Sequence, residues 1–203
     1  MIIKEQLNYN NDIHITPEKF IYFLENLFEW NGIEMREWFK KHFKLSTIKR
    51  IVVLGNLDLS GTRVQTLPDN LVIRGFLNIS NTSRITDLPQ NLKIQKSLIA
   101  DQSSIKSIPL DITIIESLYL RGCKEIEKLP TNLNLGGNLV IDYSSIKELP
   151  NKFSFKRKKE YEAMEPFEKF YVNGKISIKG SKITKNKALF EKYKKFYNKK
   201  LLF

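Results

Sequence analysis

A single cysteine in 203 residues removes any internal disulfide, so the fold cannot depend on oxidising conditions. Histidine is almost as scarce. His14 and His42 both lie in the first fifty residues, and with Cys123 they cannot assemble a metal-ligand set of the usual spacing. The chain has no G-x-x-x-x-G-K-[ST] loop, no G-x-G-x-x-G turn and no nucleophile elbow. It also has no run of about 18 apolar residues to cross a membrane, and Met1–His14 lacks the apolar stretch of a secretory signal. The resulting expectation is a cytoplasmic, membrane-free protein with no metal, no cofactor and no enzymatic role.

Acidic residues are the next shortage, and they are short in one place. Against a formal net charge of +12, residues 1–50 carry eight basic and seven acidic side chains, and residues 51–150 carry ten of each. Residues 151–203 carry sixteen and five. The basic character therefore belongs to the C-terminal quarter. A segment of that charge implies a partner with an acidic surface, or nucleic acid.

What the chain does have is a period. Pro68, Pro89, Pro109, Pro130 and Pro150 each follow Leu or Ile and are separated by 21, 20, 21 and 20 residues, a spacing that means a solenoid. Within each copy Leu57, Leu77, Leu98, Leu118 and Leu139 occupy one position, and Leu59, Ile79, Ala100, Leu120 and Ile141 stand two residues later. That alternation predicts a strand with one face inward. Thr62, Thr82, Ser103, Cys123 and Ser144 follow, all small and able to hydrogen-bond where the chain turns. Val64, Ile85, Ile105, Ile126 and Ile146 then return to the core. An extra residue at Ser83-Arg84 and at Lys124-Glu125 accounts for the alternation of 20 and 21. After each proline a second apolar pair recurs, as in Leu71 with Ile73 and Leu92 with Ile94. Val172, Ile176, Ile178, Ser181 and Ile183 repeat the pattern once more, which makes a sixth copy.

The order Leu-x-Leu-x-x-(Thr/Ser/Cys)-x-Ile-x-x-Leu-Pro resembles the leucine-rich repeat in its short bacterial form, found in secreted effectors and in phage proteins. The resemblance covers roughly residues 48–155 and departs from the family in one consistent way: Thr, Ser or Cys stands where the family's turn asparagine is usual. It implies an α/β repeat solenoid, with a parallel sheet of about six rungs and a helical cap at each end. Residues 1–47 form the N-terminal cap. Its first fifteen residues are expected to be irregular, followed by helices from Thr16-Pro17 to Trp30 and from Ile33 to about Lys44. Residues 48–155 hold copies one to five, 156–169 a charged insertion, 170–183 the sixth copy, and 184–203 a basic capping helix. The insertion has two readings, a loop on the binding face or a helical excursion packed on the array's end.

Between the core leucines, alternate strand residues face outward. One ladder is Asp58, Asn78, Ile99, Tyr119, Val140 and Ser177; the next is Ser60, Ser80, Asp101, Arg121, Asp142 and Lys179. The first contains an apolar strip, Ile99, Tyr119 and Val140, with Tyr143 beside it. Apolar strips flanked by polar groups mark binding surfaces. The second alternates in sign and reads as self-neutralising. The expected function is protein binding, with Ile99, Tyr119, Val140, Tyr143 and Arg121 at the contact. The resemblance suggests a phage or bacterial protein that binds or inhibits a host factor. A basic patch of Lys156, Arg157, Lys158, Lys159, Lys192, Lys194, Lys195, Lys199 and Lys200 would add electrostatic grip. Because aromatics interleave the C-terminal lysines, nucleic-acid binding through that segment is the alternative.

Overall fold

A computed structural model of the chain describes residues 12–26, 36–38, 40–41, 47–150, 171–197 and 200–203. Among them the chain winds into a parallel-strand solenoid of about six turns, each turn contributing two short strands separated by a tight corner. The elements in order are β1 (Asp12–Ile15), α1 (Pro17–Asn26), β2 (Arg50–Val53), β3 (Leu57–Asp58), β4 (Leu71–Ile73), β5 (Leu77–Asn78) and β6 (Lys93–Ile94). Then come β7 (Leu98–Ile99), β8 (Thr113–Ile114), β9 (Leu118–Tyr119), β10 (Asn134–Leu135), β11 (Leu139–Val140), β12 (Tyr171–Val172) and β13 (Ile176–Ser177). The chain closes with α2 (Lys182–Lys185), α3 (Lys187–Tyr197) and β14 (Leu201–Leu202).

Two stacks of strands run the length of the solenoid. The first has the order β1-β2-β4-β6-β8 and continues as β10-β12, bridged by bonds from the Gly136 and Gly137 amides to the Ile115 and Glu116 carbonyls. The second has the order β14-β13-β11-β9-β7-β5-β3. The sequence pattern predicts the second stack, and the post-proline apolar pair proves to be a strand system of its own. Leu71, Ile73, Leu92, Ile94, Leu133 and Leu135 point into the same core as Leu57, Leu77, Leu98, Leu118 and Leu139. Two inward-facing strands per turn let a rung of about twenty residues enclose a continuous apolar column, which no single rung could bury alone.

At two of the corners between the strands the fold leaves no room for a side chain. A Cβ on Gly75 would stand 2.1 Å from Asn56 Oδ1, and one on Gly174 2.3 Å from Asn138 Oδ1. Those amide oxygens accept the Phe76 and Lys175 amides of the next turn, so glycine lets adjacent corners close on each other.

Beyond the second strand the chain turns back with a left-handed residue. Gly61, Asn81, Gln102, Gly122, Tyr143 and Gly180 all have φ between 56° and 72°. The amide of the following Thr62, Ser103, Cys123, Ser144 or Ser181 bonds to the carbonyl three residues back. These are type II turns, whose third residue requires positive φ. The small polar residue completes each turn. Thr62, Thr82, Ser144 and Ser181 donate their hydroxyls to the carbonyl three residues earlier at 2.7–2.8 Å. Cys123 instead reaches back to Ala100 O of the preceding turn at 2.9 Å and contacts Ser103 Oγ at 3.6 Å. The thiol thus occupies a rung of a buried polar column, and burial raises its pKa. The extra residues at 83–84 and 124–125 bend out to solvent after the second and fourth turns.

The two ends differ from the expectation. Residues 12–15, read from sequence as irregular, form β1, paired in register with β2 from Asp12↔Arg50 to Ile15↔Val53. Ile13 and Ile15 enter the core, and Asp12, 5% exposed, takes three hydrogen bonds from the Arg50 guanidinium at 2.6–3.1 Å. The chain then turns into α1, with Phe20, Phe23 and Leu24 in the core and Pro17 against Gly55. Trp38 packs on Phe23 at 5.4 Å between ring centroids. Residues 36–38 and 40–41 are helical; the rest of the predicted second helix, and Trp30, lie outside the described residues. At the other end the single helix expected from 184 onward is broken at Asn186. Its side chain caps α3 by accepting the Leu189 amide at 3.1 Å. The chain then ends in β14, paired with β13. The 156–169 insertion lies outside the described residues.

Replacing Asp12 with alanine leaves the β1–β2 register without its side-chain clamp. Charged hydrogen bonds of this kind are worth about 1.5–3 kcal/mol, and because Arg50 is partly exposed the expected loss lies at the low end. Urea unfolding should show that loss, with faster amide exchange confined to residues 12–15. Cys123 should resist iodoacetamide in the native protein and react within minutes in denaturant, since it is buried and its thiol is held protonated. Rapid native labelling would contradict the ladder geometry.

Candidate functional site

The register of the second stack brings the predicted apolar residues together. Asn78 pairs with Ile99, Ile99 with Tyr119, Tyr119 with Val140 and Val140 with Ser177. Ile99, Tyr119 and Val140 are therefore consecutive neighbours about 4.8 Å apart. Each is half-buried, because a side chain on a flat parallel stack is covered on both sides by the rungs above and below. The strip continues past Ser177 to Leu202 of β14, which is exposed. Beside it lies a groove of about 360 Å³ floored by Ile99 and Tyr119 and walled by Phe76, Lys96, Glu116 and Arg121.

The polar ladder next to the strip is a chain of charges. Arg121 stands between Asp101, at 3.7 Å, and Asp142, at 3.8 Å. Asp101 also accepts the Arg121 amide at 2.8 Å, while Asp142 takes the Ser177 hydroxyl at 2.6 Å and the Lys179 amide at 2.9 Å. At the start of the array the bonds stay within one turn, where Asp58 accepts both the amide and the hydroxyl of Ser60. Desolvation raises the Asp58 pKa, but the Ser60 bonds and Asn78 outweigh it and hold the carboxyl below its ordinary value. Asp101 and Asp142 knit adjacent turns. Arg121, expected both at the contact and in a ladder of alternating charge, lies beside its two carboxylate neighbours, and half of its side chain stays exposed.

Tyr143 belongs to a different column, that of the left-handed turn residues. A tyrosine there is held in a backbone conformation that glycine adopts freely and a side chain does not, a strain of about 1–2 kcal/mol. Its ring leans over the next turn, where a Cβ on Gly180 would meet Tyr143 Cδ1 at 2.5 Å. Two rungs earlier Gln102 leans over Gly122 in the same direction, its Cγ 3.2 Å from where a Cβ would be. The glycine between them leaves an open slot of about 520 Å³, lined also by Ser104, Arg121, Lys124 and Glu125. Lys124 reaches across to donate to the Tyr143 carbonyl. Arg121 lines both this slot and the strip groove.

The basic patch is only partly described. Lys156, Arg157, Lys158, Lys159 and Lys199 lie outside the described residues. Lys192, Lys194 and Lys195 are exposed on α3, and Lys194 sits 5.5 Å from the centre of the Phe203 ring. Lys200 has a different role: its ammonium donates to Asn173 O at 3.1 Å and lies 3.4 Å from Val172 O, beside strand β12. Two of the aromatics between these lysines face inward. Tyr193 and Tyr197 are buried, and the Tyr193 hydroxyl both accepts the Leu149 amide and donates to the Leu149 carbonyl at 3.0–3.1 Å. Burial raises the pKa of both phenols.

Sequence reasoning overlooked Phe76, Lys96, Gln102, Gly122 and Leu202. Gly122 carried a usable signal, since the repeat alignment places it between Gln102 and Tyr143 in one column. Leu202 carried none, because a two-residue strand after a helix has no periodicity. Among the described residues no group of His, Cys, Asp and Glu could hold a metal ion, and no helix is long and apolar enough to cross a membrane.

Tyr143→Gly is expected to raise stability by about 1 kcal/mol through relief of the left-handed strain, read as a higher urea midpoint. Tyr143→Ala, which keeps a Cβ at that position, should show no such gain. A lower midpoint for the glycine variant would mean that ring contacts on Gly180 outweigh the strain.

Comparison of the chain with models of known protein families, with curated proteins and with solved structures matched none of them.

Proposed function

We propose that this chain is a leucine-rich-repeat binding module, closed at its ends by α1 and α3 acting as caps, that grips a protein partner of acidic surface. The observation that carries the reading is the in-register strip of Ile99, Tyr119 and Val140 beside its groove. Half-buried aromatic and branched side chains with polar walls supply area at low entropic cost, as interface anchors do. Charge selects the kind of partner. From residue 171 to 197 the chain has eight lysines, all exposed, and one carboxylate, Glu191. Three of them, Lys175, Lys179 and Lys182, stand at the sixth turn, on the side toward which the strip runs. An acidic partner would be steered to that end and anchored on the middle turns.

In its narrower form the reading is that of a phage or bacterial protein that binds or inhibits a cytoplasmic host factor, without catalysis. Nucleic acid is the weaker candidate. Base stacking needs exposed rings, and Tyr193 and Tyr197 are buried.

Ile99→Lys places a charge in the strip and Tyr119→Ala removes its largest side chain. Both should preserve the circular-dichroism spectrum and weaken capture of the partner by ten-fold or more, in line with the loss of about 2 kcal/mol typical of an anchor residue. The measurement is affinity capture from nuclease-treated lysate of the source organism, identification by mass spectrometry, and titration of the recovered protein with both variants at low and high salt. Equal binding by the wild type and both variants would sink the strip as a contact surface. Loss of capture on nuclease treatment would transfer the function to nucleic acid.

A further inference from the structure

We infer that the slot between Gln102 and Tyr143 is a binding site for an uncharged saccharide ring. This inference does not rest on the apolar strip; it concerns the edge of the solenoid where the type II turns stack. Two features make the slot more than a surface irregularity. Glycine at 122 removes the side chain that would fill the column, and Gln102 and Tyr143 on either side both lean toward the C-terminal end. The second feature is Tyr143 itself: a large aromatic stands in a left-handed turn where glycine or asparagine is cheaper, with 46% of its surface exposed. Gly180 backs its ring on one side, so the ring is a fixed platform. Strain retained at an exposed aromatic is the kind of outlier that accompanies function.

The charges around the slot select the ligand. Arg121 is already balanced by Asp101 and Asp142, and Lys124 spends a hydrogen on the Tyr143 carbonyl while Glu125 lies beside it. Taken together, Arg121 and Lys124 face the three carboxylates of Asp101, Asp142 and Glu125, so the slot offers no excess positive charge for phosphate or sulfate. What remains is a mixed set of donors and acceptors, from the Gln102 amide, the Ser104 hydroxyl, the Lys124 ammonium and the Glu125 carboxylate, around an aromatic face. Pyranose rings match that set: their hydroxyls both donate and accept, and their axial C–H groups pack on an aromatic face. A volume of about 520 Å³ falls within the about 300–1,000 Å³ typical of small-molecule sites.

The test is saturation-transfer NMR on the full chain with lactose, maltose, cellobiose and chitobiose, each added separately. Transfer to the ring C–H protons of at least one disaccharide is expected. It should persist in Tyr143→Phe, which keeps the platform, and in Tyr119→Ala, which alters only the strip. It should vanish in Tyr143→Gly and in Gly122→Gln, which fills the slot, with the folded spectrum of Tyr143→Gly as the control for integrity. Absence of transfer from all four sugars, or transfer unchanged in Tyr143→Gly, overturns the site. Resonance shifts at Arg121 and Lys124 on adding inorganic phosphate, without any from the sugars, would show an anion site and overturn it as well.

Discussion

Everything in this molecule depends on one constraint: the strands are too short to satisfy their backbone except through the next turn. Strands of two to four residues make few bonds each, and a two-stranded unit of that length is not stable in water. The bonds that count are repeated at every turn, as in the Leu59, Ile79, Ala100, Leu120 and Ile141 amides, each paired to the following rung. Stability is therefore a sum over neighbouring turns, and a defect at one corner is felt by two interfaces. The glycines at 75 and 174 follow from this, since any Cβ there would push a corner away from its neighbour.

The same constraint makes the ends the vulnerable places. An exposed strand edge offers unpaired amides and carbonyls to any chain that passes. At the N-terminal end β1 adds one strand to the first stack, and α1 packs beside β3, the first strand of the second stack. The C-terminal end uses the reverse arrangement, with β14 extending the second stack and Lys200 donating to the carbonyls of β12. Each end thus lengthens one stack by a strand and attends to the other with a different group.

The period, the inward residues and the register of the outward ladders were legible because side-chain direction alternates strictly along a strand. Once Leu57 and Leu77 are aligned, Asp58 must neighbour Asn78, and Ile99 must neighbour Tyr119. The first stack was legible only as an apolar pair after each proline, because strands of two or three residues are shorter than any alternation can reveal. Strand β1 was hidden for another reason. Asp12 and His14 look like surface residues, and the partners that make the segment a strand, Arg50 to Val53, lie thirty-eight positions away. The slot at Gly122 was obscured because a missing side chain registers in a sequence only when its neighbours in space are known.

The two surfaces also differ in what the fold requires of them. Ile99, Tyr119 and Val140 sit in regular strand positions where branched and aromatic residues are favoured for their own sake, so their presence alone would be consistent with sheet packing. Tyr143 has no such explanation. Its column is otherwise filled by glycine, asparagine and glutamine, and three of the six turns use glycine, the residue the geometry prefers. A tyrosine there works against the local preference of its own turn, whereas every other feature of the rung, from the buried Ser144 beside it to the Ile146 that follows, agrees with the repeat. In a chain whose levels are otherwise consistent, a bulky aromatic that conflicts with its own backbone is the feature that sets this turn apart from the other five.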